Sequence, residues 1–190
     1  MQLIDELASN WNKDLRRIPE TEPSKAEYHP KEHFDSEFQK KIDNILFDAL
    51  TDCNYPNLTT GHFNLKSIDI EVNGHKKADV NGQGYCCFLN SIIAVVLRAY
   101  IEHEAKYNPG FVIIDSPLLG LDQGVNDGDP ESMKIALFNF FINHKNDGQI
   151  IIVENIEHVP DIDFAEDGAN VITFTGGLED GRYGFLNDVN

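Results

Sequence analysis

Cysteines, cationic side chains and long apolar runs are all scarce in this chain of 190 residues. The three cysteines, Cys53, Cys86 and Cys87, form an odd set with an adjacent pair and no CxxC spacing. A disulfide framework and a cysteine-built zinc site are thereby disfavoured, and reduced thiols without chemistry are expected. Lysine and arginine total 15 against 32 aspartates and glutamates, a formal charge of −17. That field repels a phosphate backbone and disfavours broad nucleic-acid binding by this segment itself. The cations gather early, at Lys13, Arg16, Arg17, Lys40, Lys41, Lys76 and Lys77, and read as solvated charge. No segment approaches the roughly 20 apolar residues needed to span a bilayer. The opening Met-Gln-Leu-Ile-Asp-Glu-Leu has no basic region before an apolar stretch, so a cytoplasmic location without membrane contact is expected. Six of the seven histidines, His33, His62, His75, His103, His144 and His158, share no spacing that suggests a metal site.

What remains is 41% hydrophobic and long enough for one sizeable core preceded by an irregular leader. Residues 1–33 combine an amphipathic opening (Leu3, Ile4, Leu7, Trp11) with a connector interrupted by Pro19, Pro23 and Pro30. From Phe34 the apolar positions Phe38, Ile42, Ile45, Leu46, Ala49 and Leu50 follow helical spacing and end near Cys53 to Pro56. Residues 68–72 alternate like a strand, and Asn73-Gly74 is a two-residue hairpin signal with a return strand over residues 75–80. A helix over residues 86–107 and another over 130–144 are predicted from their periodicity.

Two short β-branched runs carry the functional signal. Phe111-Val112-Ile113-Ile114-Asp115 is closed by Ser116-Pro117 and reads as a strand buried on both faces, with Asp115 at its carboxyl end. Open α/β sheets bind ligands at that edge. Gln149-Ile150-Ile151-Ile152-Val153 is a second such strand ending in Glu154-Asn155, and residues 170–174 are a third candidate. Strand, helix, strand order with buried runs predicts an α/β fold with a parallel sheet and crossover helices. Upstream, the turn Val80-Asn81-Gly82-Gln83-Gly84 feeds the amino terminus of a long helix, where unpaired N–H groups and the helix dipole suit an anion. The acidic Asn126-Asp127-Gly128-Asp129 does not meet the ligand spacing of a calcium loop.

These pieces, in this order, resemble the carboxyl-terminal lobe of an ABC-type ATPase head of the branch that includes the structural-maintenance-of-chromosomes proteins and related RecN-like and SbcC-like coiled-coil ATPases. The resemblance covers residues 34–174 and implies a P-loop NTPase-like fold: a parallel sheet flanked by helices, with a small β-hairpin. Residues 1–33 would be a connector or the end of a coiled-coil arm, and 34–190 the lobe. The signature loop would be residues 80–84, the Walker B strand 111–115, the D-loop 120–122 and the switch position 154–155. On this resemblance Asp115 holds magnesium through water. Asn81, Gly82, Gln83 and Gly84 reach the ATP bound by a second head, and Asp122 lies at the dimer seam. ATP and Mg2+ are the implied cofactors, DNA the client of the whole assembly.

Three departures qualify what the resemblance implies. No GxxxxGK[ST] occurs in the chain, so the phosphate-cradling loop must come from an amino-terminal lobe, in a longer polypeptide or a partner subunit. Ser116 follows the Walker B aspartate where a glutamate usually positions the attacking water, and a serine is a poor base at neutral pH. Asn155, with Glu154 beside it, stands where the switch histidine is expected, so Glu154 or Asn155 becomes the candidate to meet the water or the γ-phosphate. The competing expectation is a non-catalytic ABC-like interaction module or half of a split ATPase. A metal-dependent phosphoesterase built on Asp115 and Asp122 is weaker, because no paired His or Asp-x-Asp stands at a strand end.

Overall fold

Asp35 starts the first helix: its carboxylate accepts hydrogen bonds from the backbone N–H of Glu37 and Phe38, which would otherwise have no partner in the first turn. The helix that follows, α1 (Ser36–Asp52), buries Phe38, Ile42, Leu46, Ala49 and Leu50, the stripe its periodicity predicts. The structure, a computed structural model, describes residues 11, 34–79, 83–121 and 128–175. The chain divides into two compact units, Met1–His33 and Phe34–Asn190. Within the first, Trp11 is described and is helical and exposed. The leader's other apolar positions lie outside the described residues, as does the chain beyond Thr175.

The second unit is mixed α/β. Strands β1 (Gly61–Asn64), β2 (Asp69–Val72) and β3 (His75–Lys76) form an antiparallel sheet in that order. Asn73 and Gly74 both adopt positive φ, 54° and 77°, as the predicted hairpin turn requires. The return strand is shorter than expected, because a 3-10 turn, Lys77–Asp79, takes over after two residues. Strand β1 carries no periodicity signal, being a four-residue segment with a single fully buried side chain, Phe63. Asp43 of α1 fastens it: one carboxylate oxygen accepts from Phe63 N–H at 2.7 Å, the other lies 2.8 Å from His62 Nδ1.

Helix α2 (Gln83–Glu104) is the centre of the unit and packs against α1, a parallel strand pair and a third helix. It is apolar around much of its circumference, and Phe88, Leu89, Ile92, Val95 and Val96 are completely buried. The expectation that no segment approaches a membrane span is corrected here. One helix among the described residues, Gly84–Glu104, is long and apolar enough by length and composition to cross a membrane, and 56% of it is buried inside the protein. Its apolarity has a second explanation, since a core helix contacted on several sides needs no polar face.

The parallel sheet holds β4 (Phe111–Asp115) and β5 (Gln149–Val153), paired in register from Phe111↔Gln149 to Asp115↔Val153. Between them runs α3 (Pro130–Asn143), opened by Asp129 as cap and Pro130 in the first turn. Two expectations are corrected. Residues 170–173 form no strand, and only Phe174 makes an isolated bridge, so the parallel sheet has two strands among the described residues. The strands are also not buried on both faces. Val112, Ile114, Ile150 and Ile152 face the core, while Phe111, Ile113, Ile151 and Val153 are 50%, 58%, 36% and 54% exposed.

Arg98 of α2 is buried at the foot of this sheet, where its Nη2 donates to the His144 carbonyl at 2.7 Å and Asp147 lies 4.0 Å away. Burial holds its pKa below the usual arginine value, opposed by Asp147 and Glu102. The cation sits at the carboxyl-terminal end of α3, where the helix dipole favours it.

Leu46 is completely buried between α1 and the core, so Leu46→Ala is expected to cost about 2–5 kcal/mol of stability, read as a lowered urea midpoint at constant m-value. A loss below about 1 kcal/mol would mean that the α1 interface is not packed as described.

Candidate functional site

Parallel pairing brings the carboxyl ends of β4 and β5 side by side, which places Asp115 and Ser116 next to Glu154 and Asn155. The ladder continues one step past the strands, because Ser116 N–H donates to the Val153 carbonyl at 2.8 Å. At that step the backbone turns sharply. Ser116 adopts φ of 54°, in the left-handed region that a residue with a Cβ rarely occupies. Its hydroxyl donates to Asp115 Oδ1 at 2.9 Å, so the serine supports the aspartate rather than acting on anything else.

Asp115 is exposed at the sheet edge and keeps its second carboxylate oxygen clear of that bond. A single carboxylate of this kind suits a hydrated magnesium ion whose remaining ligands are waters and substrate phosphates. Among the described residues no three His, Cys, Asp or Glu side chains gather as a self-sufficient metal site. Any ion held at Asp115 would therefore need ligands beyond this carboxylate and its described neighbours.

Glu154 is placed differently. Its side chain is only 3% exposed. Oε2 accepts from Leu118 N–H at 2.9 Å, Oε1 accepts from Asn155 N–H at 2.7 Å, and His158 Nδ1 lies 3.2 Å from Oε1. Each carboxylate oxygen thus serves a backbone N–H, one in the turn after β4 and one in the loop after β5. Asn155 is exposed, and its side-chain oxygen accepts from Glu157 N–H at 3.1 Å, closing a turn that brings His158 back over Glu154. His158 was not among the sequence candidates. The available signal was its position four residues after Glu154 within a turn, which periodicity of strands and helices does not register.

The turn after Asp115 runs through the buried Leu118 to the buried Leu121, held by Leu119 N–H to the Ser116 carbonyl and Leu121 N–H to the Leu118 carbonyl. Gly84, in the first turn of α2, packs against it backbone to backbone. A Cβ at position 84 would lie 2.2 Å from the Gly120 carbonyl oxygen and 2.4 Å from Leu121 Cα. Glycine at 84 is therefore demanded by this contact within the lobe, whatever else the loop approaches. Asn81, Gly82 and Asp122 lie outside the described residues, and Gln83 is described only as the residue that opens α2.

All three cysteines are free thiols. Cys53 is buried, which raises its pKa, with Asp52 adding to the rise. Burial also raises the Cys87 thiol, with Cys86 and Glu154 adding to the effect. Asp115, Ser116 and Glu154 are thus brought together with Gly84 beneath the turn they share, and Glu154 faces inward.

No family model, curated protein or solved structure matches this chain.

Alanine is a better helix former than glycine by about 1 kcal/mol, so Gly84→Ala in a free first turn would stabilise α2. Here it is expected to destabilise the protein by about 1–3 kcal/mol, because the new methyl group meets backbone atoms that cannot rotate away. Thermal or urea unfolding of the variant decides the sign, and stabilisation would refute the close contact between residues 84 and 120.

Proposed function

We propose that this chain is the carboxyl-terminal lobe of an ABC-type, P-loop NTPase-like ATPase head of the SMC, RecN-like and SbcC-like branch, completed by an amino-terminal lobe that carries the phosphate-binding loop. The observation that carries the reading is a two-stranded parallel sheet with an uncovered apolar face and an aspartate at its carboxyl edge. Parallel sheets are almost always covered on both faces, and a pair of strands is too small to stand alone. Phe111, Ile113, Ile151 and Val153 offer the outer face, and both strands have a free edge among the described residues, which suits further strands and a covering helix from a second lobe.

In the completed head, Asp115 would hold magnesium, ATP binding would bring two heads together, and hydrolysis of ATP to ADP and phosphate would release them. Residues 80–84 meet the ATP of the opposite head, and Asp122 lies at the seam. Ser116 orients Asp115 through its hydroxyl, and a magnesium ion held there would supply neutralisation of phosphate charge. The acidic chain leaves DNA contact to the rest of the assembly, in repair, chromosome organisation or phage defence, in the cytoplasm. A second reading, half of a split ATPase or a non-catalytic interaction module, is favoured by one observation. Neither Ser116 nor the buried Glu154 offers an unengaged base at the end of the sheet.

The test is to produce the chain joined to, or together with, a lobe bearing a P-loop encoded upstream or alongside it. A stable complex with magnesium-dependent ATPase activity is expected, and Asp115→Asn should lower that activity by about a hundredfold or more. Ile113→Glu on the outer face should abolish association of the two lobes. Association without activity would establish the interaction module, and activity indifferent to Asp115→Asn would remove Asp115 from the mechanism.

A further inference from the structure

We infer that Glu154 is a positioning residue, a latch that fixes the turn after Asp115, and that it does not activate the attacking water. The inference rests on the nucleotide-site reading of Asp115 and extends it to the residue that sets its geometry.

A general base needs a lone pair on an oxygen that a water can approach. Glu154 lacks that access, because its side chain is 3% exposed, and each oxygen already accepts from a backbone N–H of the protein. Those groups come from two separate loops. Leu118 belongs to the turn after β4, whereas Asn155 and His158 belong to the loop after β5. A buried carboxylate joining backbone N–H groups forms charge-assisted hydrogen bonds, roughly twice as strong as neutral ones. The Leu118 bond also falls where the chain most needs support, two residues past the positive φ of Ser116. The same turn is pressed against Gly84 of α2 at Gly120 and Leu121. With Glu154 in place, the turn is held at two points, and Asp115, Gly120 and Leu121 keep one arrangement. Without it, Leu118 N–H is a buried donor with no acceptor, a situation that favours rearrangement of the turn. His158 meets the oxygen that Asn155 N–H also uses, so the loop after β5 and the turn after β4 are joined through a single side chain.

The experiment is amide hydrogen exchange by NMR on the full 190-residue chain, comparing wild type with Glu154→Ala and Glu154→Gln. In wild type the Leu118 amide is expected to be protected. Glu154→Ala should speed its exchange by about tenfold or more, while the amides of Ile42 and Leu46 in α1 keep their wild-type rates. Glu154→Gln retains a carbonyl acceptor and should restore part of the protection. A Leu118 rate unchanged in Glu154→Ala, or an equal acceleration in α1, overturns the latch. Should the alanine variant fail to fold, the glutamine variant carries the test, since a rate no different from wild type would show that the carboxylate charge holds nothing there.

In the completed head the latch predicts that Glu154→Gln lowers kcat by no more than about tenfold with KM for ATP retained. A water-activating base predicts a loss of about 10²–10⁴ with Leu118 protection intact, and that result also overturns the inference. If the completed head hydrolyses nothing, the ATPase reading fails, while the exchange rate of Leu118 still decides the latch.

Discussion

The burial of α2 is the constraint on which the rest of this structure depends. A 22-residue helix with apolar side chains around much of its surface must be covered on several sides, and α1, β4 and α3 each supply part of that cover. The antiparallel sheet hangs on α1 through Asp43, and the parallel pair lies on α2 through its inner side chains. The amino-terminal turn of the helix then fixes the height at which the turn after Asp115 can pass, because Gly84 and Gly120 approach to backbone contact. Core packing and site geometry are consequently one problem here, solved by the same helix.

The site is organised by backbone groups more than by side chains reaching outward. Ser116 N–H extends the ladder to Val153, Leu118 N–H finds Glu154, and the Gly120 carbonyl lies against Gly84. Asp115 is left as the exposed carboxylate at the edge, free to meet solvent while its neighbours are tied. An arrangement in which one acid is presented and a second is sequestered separates the two roles that adjacent carboxylates could otherwise share. The sheet is packed unequally on its two faces. Its inner face is sealed into the core, and its outer face carries the same kinds of side chain with nothing described over them.

Elements with strong periodicity were legible before any coordinates. The stripe of α1, the Asn73-Gly74 turn, the start of α3 at Pro130 and the strands ending at Asp115 and Val153 all follow from spacing and local chemistry. What was not legible depends on partners distant in sequence. The run Phe111–Asp115 is equally β-branched on both faces, so composition alone could not reveal that one face lies against α2 and the other is bare. Residues 170–174 have strand-like composition, but among the described residues only Phe174 makes a bridge, so composition alone did not decide pairing. In the site, Asp115 and Ser116 could be singled out from the end of an apolar run. The inward aim of Glu154 could not, because a strand-terminal glutamate carries no mark of whether it faces water or a buried N–H. His158 was invisible for the same reason.

The contact between Gly84 and Gly120 also bears on how such a lobe can be remodelled. Two chain segments that touch through their main chains share one boundary, and neither can gain a side chain or shift by an ångström without the other yielding. Residues 83–85 and 118–121 are thus a single interlocking part spelled in two places. A chimera that imports the helix start from another protein while keeping the native turn would join two halves of different moulds, so these segments have to be exchanged together or left alone.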